Sequence, residues 1–373
     1  MSHGFSVRAA RRRYYKAQKE YGSVQSAAKE EHKMNRVCGM LLGLLCTATG
    51  LCAQSDVPIL SGAVAFQGTS SGGANSFQPI IFPVLVAPLG DHWLVESRGE
   101  IQGFIARQNG TTGPYNGIFV ATFAYLQVDY IANSHLTVTA GRFLTPFNIY
   151  NERFPLWIAN LVDQPIIFPI GTRTSASSNG GMVRGVAVAR SKWNLNYAAY
   201  ASVSTTTENL QSGRAAGGRM GIFLPQQGLE LGASYQRFLQ NGGSSIVGSY
   251  FAWQPPPIPL DVRAEYAHSP GGQGYWIEGA YRFAPNRDMN TWPTRLQAVA
   301  RVQQYFKGKP TPTDFLPATD VNQYDFGLNY YLPHNVRLNG SYGRQYRFAA
   351  NANVWNFEIT YRFLFPAWPG EHK

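Results

Sequence analysis

The sequence predicts an all-β chain closed into a transmembrane, antiparallel, up-and-down β-barrel of about sixteen strands, with a long third external loop. Three observations predict it. Apolar and polar residues alternate with a period of two over stretches of about ten residues. Short, turn-rich links between these stretches alternate with longer ones. The apolar faces repeat one composition, aliphatic in mid-strand and aromatic at the ends, which a soluble sheet rarely keeps strand after strand.

The last strand shows the alternation most plainly. In 356–363, Phe357, Ile359, Tyr361 and Phe363 share one face, while Asn356, Glu358, Thr360 and Arg362 share the other. Phe326, Leu328 and Tyr330 oppose Asp325, Gly327 and Asn329 in the same way, and 260–266 sets Asp261, Arg263 and Glu265 on its polar face. A mid-strand Arg on a lipid face costs about 2–4 kcal/mol, so the polar faces must meet water or a counter-charge. Read this way, strands fall at 58–67, 80–87, 92–106, 118–131, 135–144, 181–190, 193–203, 215–224, 229–238, 244–253, 260–268, 274–283, 294–306, 320–331, 336–347 and 354–363. With the last strand ending on the periplasmic side, the short links 132–134, 191–192, 225–228, 255–259 and 332–335 fall there. The longer links 68–79, 108–117, 204–214 and 308–319 fall outside, against a short external link at 239–243 and a long periplasmic one at 284–293.

Composition agrees. Aromatic residues make up 14% of 373 residues, and glycine is abundant at 38. Mean hydropathy is −0.22, and no apolar run in the body of the chain reaches the roughly 18–20 residues of a membrane helix. The formal charge is +11. Residues 1–53 hold nine Lys/Arg against three acids, and the remainder holds 23 against 18. Those 23 are scattered, mostly Arg with a carboxylate nearby, which argues against a nucleic-acid partner.

The segment 34–53 reads as a signal peptide: Arg36 supplies the positive start, Val37 to Leu51 the apolar stretch, and Cys52-Ala53 the small residues before a cut ahead of Gln54. Residues 1–33 are polar and basic and read as an untranslated or non-native extension ahead of a true start at Met34. The barrel then occupies 54–373. All three cysteines (Cys38, Cys46, Cys52) fall in the signal, so the mature chain has no disulfide, thiolate metal site or cysteine nucleophile.

The longest insertion, 145–180, falls on the third external connection. Its apolar-aromatic runs, 154–157 and 165–169, are better hidden inside a barrel than displayed to the medium. The alternative is an external cap. The stretch Ala140-Gly-Arg-Phe-Leu-Thr-Pro-Phe147 resembles a recurring motif of the phosphate-selective porin O and P family, and the aromatic-ended last strand resembles the recognition signal of outer-membrane barrels. The resemblance implies a Gram-negative outer-membrane porin, contact with lipid and lipopolysaccharide, a homotrimer, and passive diffusion of small hydrophilic solutes with an anion preference. In general porins the third loop narrows the pore. Phosphate selectivity is not carried over, because it needs an unpaired basic ladder, and the mature chain has only four Lys.

On this reading Glu152, Arg153, Asp163 and Arg173 stand at the constriction. Arg98, Arg263, Arg282, Arg295, Arg301, Arg337, Arg347 and Arg362 stand on the pore wall, among Glu96, Glu100, Asp261, Glu265, Glu278 and Glu358. They either tilt the pore toward anions or merely tie the wall together in Arg–carboxylate pairs. Arg142 shares parity with apolar neighbours, so it sits at a rim or is turned inward by a bulge. Aromatic residues of 145–180 alternatively line a path for sugars or carboxylates, and a non-conducting structural or adhesive barrel would carry the same pattern. No catalytic arrangement is readable: His92, His135, His268, His334 and His372 form no metal-spaced pair or Ser–His arrangement, and no cofactor is implied. Amino-terminal sequencing of the exported protein should begin at Gln54; a start upstream of Met34 would contradict the assignment of 1–33.

Overall fold

In the computed structural model, the described residues are 57–366, apart from 108–109, 156, 173–175, 241–242, 284–290, 310–314 and 349. The expected extension (1–33), signal peptide (34–53) and Arg173 lie outside them. Sixteen strands form: β1 (Ile59–Ser71), β2 (Ala74–Leu89), β3 (Trp93–Arg107), β4 (Tyr115–Asn133), β5 (Leu136–Leu144), β6 (Ser177–Ala189), β7 (Asn194–Val203), β8 (Ala215–Leu224), β9 (Leu229–Phe238), β10 (Ser244–Trp253), β11 (Leu260–Ser269), β12 (Gly272–Arg282), β13 (Leu296–Lys307), β14 (Val321–Leu332), β15 (Val336–Arg347) and β16 (Ala352–Pro366). Each pairs antiparallel with the next, and β16 pairs with β1 from Ile59↔Pro366 to Ser71↔Val354, which closes the barrel. Closure leaves no unpaired edge, the condition for a sheet to stand in hydrocarbon.

Several boundaries differ from the sequence reading by a few residues, β6 beginning at Ser177 rather than 181 among them, and two differences bear on the architecture. The final strand does not stop at Phe363 but continues through Leu364 and Phe365 to Pro366. The expected long link 68–79 is strand on both sides of a tight hairpin, where Gly72 and Gly73 take φ of 59° and 83°. Two consecutive positive φ angles make the two-residue turn that matches the strand twist, and adjacent glycines reach them without a Cβ clash.

The outward face is apolar and exposed. Val64, Ile277, Val302, Leu328 and Ile359 lie in mid-strand. Aromatic pairs mark the two ends: Tyr342–Trp355 and Tyr324–Tyr346 near one, Trp93–Tyr130 and Tyr281–Phe283 near the other, where the first and last strands also begin and end. An apolar band between aromatic girdles is the surface a bilayer requires.

The buried core lies inside the barrel. Phe147, Tyr150, Ile167 and Ile170, from the connection between β5 and β6, pack with Phe143, Met182, Tyr200, Phe238, Ile246, Trp276 and Tyr305 of the wall. Gly141 sets this up. Its φ is +118°, and a Cβ there would sit 2.5 Å from the Leu126 carbonyl oxygen. Thr139 is buried, Ala140 and Gly141 are exposed, and Arg142 and Phe143 are again buried, so alternation breaks at the glycine. Gly141→Val should destabilise the folded barrel by about 2 kcal/mol or more, read as a lower urea midpoint in detergent. Gly340→Ala, which meets open space, should leave the midpoint unchanged.

Candidate functional site: the folded-in loop and the passage beside it

The connection 145–176 leaves the wall and returns to it at one place. Leu144 pairs with Ser177, and the Thr145 N–H donates to the Ala176 carbonyl at 3.0 Å. Between these points it crosses the lumen, with single helical turns at α1 (Tyr150–Arg153) and α2 (Phe168–Gly171). The motif 140–147 serves as its entry. Gly141 turns Arg142 inward, the Thr145 hydroxyl meets that of Ser178 at 2.8 Å, and Phe147 lies against Gly171 and Gly248. Glycines on the inner wall receive the loop: a Cβ on Gly248 of β10, Gly274 of β12 or Gly327 of β14 would strike Asn148, Ile167 or Leu161 at 2.4–2.6 Å.

Polar contacts fasten the same loop to β8–β15. The backbone N–H groups of Ile149 and Tyr150 donate to one oxygen of Glu265, at 2.8 and 2.7 Å. Asn160 donates to Glu278 at 2.9 Å, and its carbonyl accepts from Asn329 and Asn339. The Arg337 guanidinium joins the Ala159 carbonyl (2.7 Å) to Glu358 (2.8 Å). Arg301 is the densest node. It meets Asp163 of the loop at 2.7 Å, Asp325 at 3.1 Å and Glu278 at 3.8 Å, and donates to the Asp163 carbonyl at 3.0 Å. Its side chain is 1% exposed.

Three of the four expected constriction residues are therefore bound to the wall, the fourth, Arg173, lying outside the described residues. Arg153 forms a two-pronged pair with Glu230 at 2.6 and 2.8 Å, Glu152 pairs with Arg219, and Asp163 pairs with Arg301. Burial lowers the Arg153 pKa, but hydrogen bonding and charge attraction from Glu230 outweigh it and leave the guanidinium more basic than usual. Burial pushes the Tyr150 phenol well above its ordinary range.

Of the expected wall arginines, Arg98, Arg263, Arg301 and Arg337 are buried in the lumen. Arg98 pairs with Glu100 at 3.0 Å, and Arg263 pairs with Asp261 while its guanidinium lies 3.8 Å from the Phe154 ring centre. Arg282 lies 4.4 Å over the Tyr331 ring. Arg295 closes a short 3-10 turn at the foot of β13, and Arg347 and Arg362 are exposed at opposite ends of the barrel. Arg142, Glu230, Asp129 and Asp325 belong with the buried set, and Arg184 and Arg219 face the lumen half-buried. Arg219 was readable from Gly217, Arg219 and Gly221 opposing Met220 and Ile222. Arg184 was masked because its inward neighbour Met182 is apolar.

Among the described residues, three spaces stand out on the side away from the anchored wall. One, of about 550 Å³, lies between Phe82, Arg98, Glu100 and Gln102 of the wall and Tyr150, Phe154 and Trp157 of the loop. The second, about 520 Å³, shares Arg98 and Glu100 and adds Thr122, Arg142, Asn209 and Gln211. The third, about 460 Å³, shares Leu144 with the second and reaches Glu96, Tyr125, Glu152 and Arg184. The β7–β8 connection borders the second: the Asn209 and Gln211 carbonyls accept from Thr122 (2.7 Å) and Arg142 (3.2 Å).

The chain has the fold of an outer-membrane porin. An anion-selective porin from Comamonas acidovorans superposes with a TM-score of 0.55 at 10% identity, over 83% of this chain and all of that one. OmpT, an outer-membrane protein of Vibrio cholerae, superposes with 0.51 in two forms. Its loop L8 deletion mutant is 11% identical over 83% of this chain, its in-vitro folded form 10% identical over 84%, and all of each is covered. No protein-family model matches the sequence, and no curated protein matches it significantly. The motif 140–147 thus stands as a local likeness to the porin O and P family, whose physical role here is to turn the chain into the lumen.

Removing one partner of a buried ionic cluster costs about 3–5 kcal/mol. Arg301→Ala leaves Asp163, Asp325 and Glu278 without their shared cation. The loop should then become cleavable by protease within 154–166 while the barrel stays folded, and Arg347→Ala should leave the cleavage pattern unchanged.

Proposed function

We propose that the protein is an outer-membrane porin through which small hydrophilic solutes diffuse passively, along the β3–β6 wall beside the folded-in loop. The observation that carries this reading is one-sided anchoring. The loop is bonded to β8–β15, and the remaining spaces follow β3–β6 and share lining residues. A wide barrel narrowed by an inserted segment is the usual way to make a sieve from an aqueous lumen.

The charges along this route are balanced. Glu96, Glu100 and Asp129 face Arg98, Arg142 and Arg184, and Arg184 lies 2.9 Å from Asp129 and 4.0 Å from Glu96. Such paired rings supply little net field. The reading is therefore a size-limited pore with weak ion selectivity. The selectivity in the name of the Comamonas porin would come to this chain through Arg142, whose guanidinium borders the passage next to Arg98.

In a planar bilayer the refolded protein should give stable steps with a reversal potential near zero in a salt gradient. Glu96→Gln with Glu100→Gln should shift that potential toward anions. A folded barrel that never conducts would sink the porin reading and leave a structural one.

A further inference from the structure

We propose that the space between the loop and β2–β3 is a binding subsite for an uncharged, polyhydroxylated ring, a mono- or disaccharide, on its way through the barrel; this rests on the passage reading above. Its two sides differ in chemistry. The loop side is aromatic, with Phe154, Trp157 and Phe168 half-buried, and the Trp157 ring lies 5.0 Å from that of Phe82. The wall side is a row of planar polar groups, Arg98, Glu100 and Gln102, at alternate positions of one strand.

Arg98 makes the site more than a gap. Its side chain is 10% exposed. It lies with its guanidinium 5.3 Å from the Tyr125 ring centre and 5.6 Å from that of Trp157. One nitrogen is bonded to Glu100 at 3.0 Å, while its buried Nε has no hydrogen-bond partner. A buried donor without an acceptor is costly and calls for one from a ligand or water.

Charge then narrows the class. An anion reaching Arg98 would meet Glu100, and a cation reaching Glu100 would meet Arg98. A purely apolar ligand would strip water from Arg98, Glu100 and Gln102 and return no hydrogen bonds. A saccharide ring fits both sides. Its C–H face lies on the aromatic rings, and its hydroxyls, each both donor and acceptor, accept from Arg98 and Gln102 and donate to Glu100.

The test is block of the single-channel current by added maltose, with inorganic phosphate and benzoate as the anionic and aromatic-acid alternatives. Maltose should reduce the current in a saturable way. Trp157→Ala should raise the half-blocking concentration at least tenfold, and Gln102→Ala should raise it severalfold. A channel that conducts but is indifferent to maltose, or is blocked by phosphate or benzoate instead, overturns the subsite and spares the porin. If the barrel folds without conducting, the porin reading fails by itself. The subsite is then read from maltose-dependent quenching of tryptophan fluorescence, which Trp157→Phe should abolish; no quenching in the parent protein overturns it.

Discussion

The architecture of the lumen depends on one attachment: among the described residues, the ion pairs and most of the hydrogen bonds that fasten the segment 145–176 come from the β8–β15 wall, while Trp157 meets the β1–β3 side by ring packing. An inserted loop of this length costs conformational entropy to order, so it needs specific partners along its path. It has apolar seats at Gly248, Gly274 and Gly327, and polar fasteners at Glu265, Glu278, Arg301 and Arg337. The two kinds of contact reinforce each other. The glycines bring the loop backbone close to the wall, and closeness lets its N–H and C=O groups reach wall side chains directly. That matters because a buried loop carries backbone polar groups that must be satisfied.

The same attachment explains where the charges are. The lumen of a barrel in lipid must hold every polar side chain that the outward face excludes, and here it holds them in pairs. Arg301 serves three carboxylates, and Arg153, Arg219 and Arg337 each hold a carboxylate across the loop–wall contact or beside it. Removal of a single member would leave an uncompensated buried charge, which is why these pairs make the loop position sharp. The arginines of this chain act first as fasteners. The charges left along the β3–β6 side, in near-equal numbers, are the ones a solute would meet.

Much of this was legible in the sequence, and the failures have physical causes. Period-two alternation located all sixteen strands, because lipid outside and water inside select opposite residues at successive positions. The interruption at Gly141 left the side of Arg142 open, since its positive φ turns the chain without shifting the register and parity was the only guide to facing. The Gly72-Gly73 hairpin was read as a long loop because polar residues such as Ser70, Ser71, Asn75 and Ser76 resemble linker, although the register continues through them. The loop was legible as an apolar-aromatic insertion better kept inside. What alternation could not give was its partners. Arg153 and Asp163 looked like free constriction charges because their counter-charges, Glu230 and Arg301, lie 77 and 138 residues away in the chain.

The central claim, that the loop fills part of the lumen, is tested most directly by excising it. Its ends already meet at Thr145 and Ala176, so replacing 148–172 with a short Gly-Ser link leaves the β5–β6 pairing intact. The account predicts a barrel that still folds and whose single-channel conductance rises severalfold. A folded variant with the parent's conductance would place the loop outside the solute path and contradict the account.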